Sequence, residues 1–191
     1  MQVLAGERIT FVKVTVNISV VQLRQRDKFL TAVTTILNET GLDPQWLVFE
    51  ITETILIETE DSAIFTLKQL SDIGINIAID DFGTGYTSMS HMKSFSVNTI
   101  KIDRAFISDL HLDNTSVAIV KSIITLAEHL QLNTIAEGVE NQEQLQAVFN
   151  EKCKEVQGYY YSPSVLPKQM ERFLIESKTM SFNPIVRADE V

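Results

Sequence analysis

The chain has 191 residues, 45% of them hydrophobic, which suits one domain with a sizeable core. Its formal net charge of -9 argues against non-specific binding to DNA, RNA or anionic membranes, yet leaves room for a small anionic ligand at a metal site. The single cysteine, Cys153, excludes an intrachain disulfide framework.

Apolar runs and helical patterns alternate along the chain. Val14-Thr15-Val16-Asn17 is the first short run to end in a polar group, and a helix is predicted from about Arg26 to Thr40, stopped by Gly41. Leu47-Val48-Phe49-Glu50 is the second run, followed by a stripe of Ile64, Leu67, Leu70 and Ile73 that ends at Gly74. The third run leads from Ile75 to Asp80-Asp81, and the fourth is Thr99-Ile100-Lys101. Asn114-Thr115 is read as the cap of a helix carrying Val117, Val120, Ile124 and Leu130. Thr134-Ile135-Ala136-Glu137 is the fifth run, and Asn141 with Gln144 resembles a capping box ahead of Leu145, Val148 and Phe149. Glu155-Val156-Gln157 is the sixth, after which Pro167 suits the first turn of a helix reaching Phe173 and Leu174. Ser177 to Val191 shows no periodicity, so residues 1–176 are expected to form the domain and 177–191 a tail.

Strands alternating with helices imply an α/β fold with a parallel sheet, and six such units point to an incomplete TIM-type (β/α)8 barrel. Two open sheet edges would invite pairing with another copy or aggregation. In parallel β/α folds the strand C-termini share one side, so the six polar groups should converge there. Each is expected as the first exposed position of its strand. The chain has no apolar run of about 18 residues, and Met1 to Gly6 lacks the features of a signal peptide, so it reads as soluble and cytoplasmic.

Asp80-Asp81-Phe82-Gly83-Thr84-Gly85-Tyr86 is the most distinctive segment. Two adjacent carboxylates repel unless a cation stands between them, while the glycines permit a sharp turn and close approach of a ligand. A surface turn is the plain alternative. Asn17, Glu50 and Glu137 add hard oxygen donors, which favour Mg²⁺ or Mn²⁺ over zinc. His91, His111 and His129 lack metal-ligand spacing. Lys101 would be an amine among acids, orienting water, stabilising phosphate charge, or forming a salt bridge to Asp81 or Asp103. Glu53 would hold the following loop in place. Gln157 and Tyr159 would line the rim, unless Tyr159 to Tyr161 serve the core. Cys153 reads as a packed apolar residue, with no nearby His or basic cluster to activate it.

Asn17-Ile18-Ser19, Phe49-Glu50-Ile51-Thr52-Glu53, Ile79 to Tyr86, Ile100-Lys101-Ile102-Asp103-Arg104, Ile135 to Glu140 and Gln157-Gly158-Tyr159 together resemble the successive motifs of EAL domains. That family comprises bacterial signalling phosphodiesterases that linearise cyclic di-GMP to pGpG on a (β/α)8 barrel with two Mg²⁺ or Mn²⁺ ions. The resemblance implies that Asn17, Glu50 and Asp80 bind one metal, and that Asp80 bridges to a second held by Asp81 and Glu137. It implies a catalytic set of Lys101, Glu137 and Gln157, with Lys101 on the attacking water and Gln157 completing the water or substrate network. Asp103, Gln157 and Tyr159 would contact substrate. Glu53, Phe82, Gly83, Thr84, Gly85 and Tyr86 would couple the site to a homodimer partner, and sensory or cyclase domains often accompany the family.

The Glu-Ala-Leu segment that characterises the family, and supplies another metal ligand, does not occur in these residues. The segment through Gly6 looks like the end of a second helix. A barrel of this type needs about 250 residues, roughly 60 more than are present. These residues alone are therefore expected to be nearly inactive. An inactive module that binds cyclic di-GMP or a protein partner stands as the alternative.

Overall fold

A computed structural model describes residues 12–58, 61–85 and 96–176. Tyr86, His91 and the tail after Ser177 lie outside the described residues. Six strands form one parallel sheet in sequential order: β1 (Val14–Asn17), β2 (Leu47–Thr52), β3 (Asn76–Phe82), β4 (Thr99–Ile102), β5 (Asn133–Glu137) and β6 (Glu155–Gln157). Unbroken sequential order, with helices described in four of the five connections, is the winding of a β/α barrel, and the described strands make an incomplete one.

The helices are α1 (Val20–Arg24), α2 (Arg26–Thr40), α3 (Glu53–Glu58), α4 (Asp61–Ile73), α5 (Arg104–Ser108), α6 (Asn114–His129), α7 (Gln142–Asn150) and α8 (Pro167–Glu176). α2 stops where expected, because Gly41 takes the left-handed conformation at φ 64° and its N–H donates to the Leu37 carbonyl. Asp113, one residue before the expected cap, starts α6 by accepting from the N–H groups of Thr115 and Ser116. A carboxylate offers two acceptor oxygens there, where an asparagine offers one. Asn141 caps α7 as expected, but the Gln144 side chain accepts from Glu140 N–H rather than closing a reciprocal box on Asn141.

The central strands are sealed between layers. Ile51, Ile77, Ile79, Ile100, Ile102 and Ala136 belong to one apolar cluster with Leu67 and Leu70 of α4, Val120 and Ile124 of α6, and Leu145 and Val148 of α7. At about 25 cal/mol per Å² of apolar surface removed from water, this layer is the main stabilising term. The edges differ. Every residue of β1 is exposed, including Val14 and Val16, and β6 is only half covered.

Candidate functional site

Register places the polar groups before their chemistry is considered. Asn17 pairs with Glu50 across β1 and β2, and Glu137 pairs with Gln157 across β5 and β6. Glu50 opposes Ala78, so Asp80, two residues on, shares its face of the sheet. Lys101 opposes Ile135, so Glu137 likewise shares the face of Lys101.

Neighbouring strand residues normally point to opposite faces, which would separate Asp80 from Asp81. A bulge removes that constraint. Ile79 pairs with Ile100 and Phe82 with Ile102, so β3 carries one residue more than β4 over the same step. Asp81 takes up the distortion in the left-handed region, at φ 53°. Ligand oxygens of Asp80, Asp81 and Glu137 consequently lie within 4.8 Å of one another.

Lys101 sits among the acids. Its Nζ is 2.9 Å from Glu50 Oε1, 2.9 Å from Asp80 Oδ1 and 2.6 Å from Glu137 Oε1. Its side chain is only 3% exposed. Burial alone would lower the lysine pKa, but its polar contacts with Glu137, Asp80 and Glu50 overcome that and hold it above the usual value. One ammonium cannot neutralise three carboxylates. Burial, with Asp80 alongside, therefore pushes Glu137 up to about 7 despite the opposing pull of Lys101. Asp81 is also raised, first by burial, then by a hydrogen bond with Asp103 and by the charges of Asp80 and Asp103.

The donors fit a divalent cation. All are hard oxygens, negative charge exceeds positive, and Asp80 Oδ1 accepts no well-aligned hydrogen bond even from Lys101. Residues fully satisfied by protein partners would offer no such vacancy for a ligand.

Two expected strand ends are in fact interior positions. Glu50 and Lys101 are buried, because β2 runs on to Thr52 and β4 to Ile102. In a barrel the inward face can carry polar residues before the strand ends, so polarity marked the site rather than the terminus. Glu53 is buried as well, and its Oε2 accepts from Gly83 N at 2.8 Å and Gly85 N at 3.0 Å. Gly83 sits at φ +101°, and a Cβ there would meet the Phe106 ring at 2.8 Å. Thr84 Oγ1 donates to the Asp81 carbonyl, and Phe82 is buried beneath the turn.

Asp103 Oδ1 caps α5 by accepting from Ala105 N at 2.7 Å, besides its bond with Asp81. Gln157 is exposed beside Glu137, and Tyr159 just after it is 68% exposed, which excludes Tyr159 from the core. Gly158 lets this segment approach β5, since a Cβ would collide with the Val139 backbone. Tyr160 hydrogen-bonds Gln142 through its hydroxyl and packs edge-on against Tyr161. The bulge at Asp80-Asp81 was missed in the sequence; the signal was Asp81 itself, a residue type tolerant of positive φ just before a glycine turn.

The EAL domain profile matches residues 1–164. Among curated proteins, the signaling protein YkoW of Bacillus subtilis is 39% identical over 163 residues, covering 85% of this chain and 20% of YkoW. The cyclic di-GMP phosphodiesterase NbdA of Pseudomonas aeruginosa is 36% identical over 138 residues, covering 72% of this chain and 18% of NbdA. The chain thus spans about one fifth of the curated relatives it matches. Among solved structures, the EAL domain of Mycobacterium smegmatis DcpA superposes with a TM-score of 0.80 at 36% identity, covering 86% of this chain and 73% of that one. The PaMucR phosphodiesterase in complex with c-di-GMP gives 0.78 at 34% identity, covering 83% and 64%. With the ordered motifs, the sequential parallel winding and these likenesses in agreement, the chain belongs to the EAL domain family.

Proposed function

We propose that this chain is the greater part of a cyclic di-GMP phosphodiesterase domain, hydrolysing cyclic di-GMP to linear pGpG in bacterial second-messenger signalling. The observation that carries the proposal is the convergence of Asp80, Asp81 and Glu137 within 4.8 Å around a buried lysine. The PaMucR structure was solved with c-di-GMP, and a Klebsiella pneumoniae BlrP1 structure with manganese and the same nucleotide.

Asn17, Glu50 and Asp80 would hold one Mg²⁺ or Mn²⁺, and Asp80, Asp81 and Glu137 a second. Two such ions acidify water and neutralise charge on a phosphodiester, so no strong side-chain base is needed at neutral pH. Water adds to phosphorus, the P–O3′ bond breaks, and the released oxygen takes a proton to give the linear dinucleotide. Lys101 brings a fixed positive charge toward the attacked phosphate and orients the water. Asp103, Gln157 and the exposed ring of Tyr159 supply contacts to the nucleotide at the rim. Glu53 fixes the turn through Gly83 and Gly85, and with Phe82, Thr84 and Tyr86 this segment would couple the site to a homodimer partner.

Relatives far longer than this chain support accompanying sensory or cyclase domains. Among the described residues no helix is long and apolar enough to cross a membrane. The test is direct: cyclic di-GMP is incubated with the protein and Mn²⁺, and products are separated by liquid chromatography. Appearance of pGpG supports the proposal. Tight nucleotide binding with no hydrolysis in a chain carrying a completed barrel would replace it with the inactive binding module.

A further inference from the structure

We infer that Lys101 competes with divalent cations for the carboxylates of this site, so that its ammonium sets how tightly the site takes up metal. The inference deepens the metal-dependent reading above and rests on it. Glu50, Asp80 and Glu137 are three of the proposed metal ligands, and each already places an oxygen within 2.9 Å of Lys101 Nζ. The ammonium occupies the centre of the negative potential that a metal ion would seek.

Charge counting gives the direction of the effect. Glu50, Asp80, Asp81 and Glu137 carry four negative charges when ionised, and two divalent ions would balance them in full. Lys101 would then be a surplus charge beside the same carboxylates, shielded from water by its burial. Uptake of metal therefore loosens the ammonium from these oxygens and leaves it available to an incoming phosphate. Without a divalent ion the same contacts would keep the buried Glu50 carboxylate and the half-buried Asp80 and Glu137 carboxylates together, because with no cation among them their repulsion would open the site.

The test needs no turnover. Mn²⁺ is titrated calorimetrically into the 191-residue chain, into Lys101→Met, and into Arg104→Gln, whose exposed side chain belongs to the next helix and reports the general effect of removing one positive charge. Lys101→Met should bind Mn²⁺ about 10-fold or more tightly than wild type, and Arg104→Gln less than about 2-fold. Unchanged or weaker binding by Lys101→Met, an equal gain in Arg104→Gln, or no binding by any of the three would overturn the inference. Because Lys101→Met removes the cation that holds the acids together, a second measurement uses the wild-type fold. The side-chain ammonium resonance of Lys101 in ¹⁵N-lysine-labelled protein is followed as Mg²⁺ is added. It should shift and exchange faster with solvent in step with saturation; a resonance unmoved at saturation overturns the inference. Tighter binding by Lys101→Met in a protein that never hydrolyses cyclic di-GMP would keep the inference and remove the proposed function. Loss of hydrolysis at unchanged Mn²⁺ affinity would do the reverse.

Discussion

Glu53 and Gly83 are thirty residues apart in sequence, yet Glu53 Oε2 accepts from Gly83 N at 2.8 Å. The same oxygen accepts from Gly85 N at 3.0 Å, so one carboxylate ties the end of β2 to the turn after the paired aspartates. Hydrogen bonds to a charged acceptor are worth about 1.5–3 kcal/mol each. Glu53→Ala should therefore speed hydrogen exchange at the Gly83 and Gly85 amides by about 10-fold or more, with smaller changes in β4 and β5. Glu53→Gln, which keeps an acceptor oxygen, should fall between. Unaltered exchange at both glycines in Glu53→Ala would mean the turn holds itself.

Asp80 is the proposed ligand shared by both ions, while Asn17 is proposed for one and stands on the exposed edge strand. Calorimetric titration of Mn²⁺ should show Asp80→Ala losing more affinity than Asn17→Ala, by about 10-fold or more. An Asp80→Ala protein with wild-type affinity would overturn the assignment of the bridge.

Lys101 is expected to act on the chemical step. In a chain with a completed barrel, Lys101→Ala should lower kcat by about 10²-fold or more with little change in KM, even as the site takes up metal more readily. Steady-state kinetics at saturating Mn²⁺ separates the two effects. A large rise in KM at unchanged kcat would move Lys101 to ground-state binding.

The polar residues of the site were legible because the apolar runs that carry them are short and end on the same side of the sheet. What sequence could not supply was depth. Glu50 and Lys101 looked like exposed strand ends and are interior, since a strand facing a polar barrel interior does not stop where its apolar run stops. Nor does the run Ile75 to Asp81 reveal that β3 gains a residue against β4, because a bulge is a property of two strands and its register appears only when both are placed. The helix of Arg26 to Thr40 was readable from its glycine stop, whereas α1 escaped notice. It has five residues, too few to show a period, and is held by the reciprocal Ser19–Gln22 cap.

Cys153 is buried, with its thiol against the Thr134 and Glu155 carbonyls, and burial pushes its pKa above the ordinary value. A raised folded-state pKa gives stability that is complete below the unfolded thiol value near 9 and is lost as pH rises through the folded value. Thermal unfolding should therefore show a loss of stability above about pH 9 that Cys153→Ala lacks. At pH 8 iodoacetamide should label the native chain about 10-fold or more slowly than the chain in urea. Equal labelling rates would show that the thiol is open to solvent.

The last expectation concerns completeness of the site. Six strands are described where a closed barrel of this kind has eight, and β1, which carries Asn17, is exposed along its whole length. An edge strand held by one neighbour positions its side chains less firmly than one held by two, and a displacement of about 1 Å at a reacting centre can cost on the order of 10²-fold. The Glu-Ala-Leu segment would add a further carboxylate to the ion proposed for Asn17, Glu50 and Asp80, which would otherwise draw on water to fill its coordination. These losses act on the same step, so the 191 residues alone should hydrolyse cyclic di-GMP about 10²-fold or more slowly than a chimera that begins with the first two strand-helix units of a matched EAL domain. The same chimera should protect the β1 amides from exchange by pairing that edge. Equal turnover by the two proteins would show that the carboxylates gathered around Lys101 suffice for the chemistry.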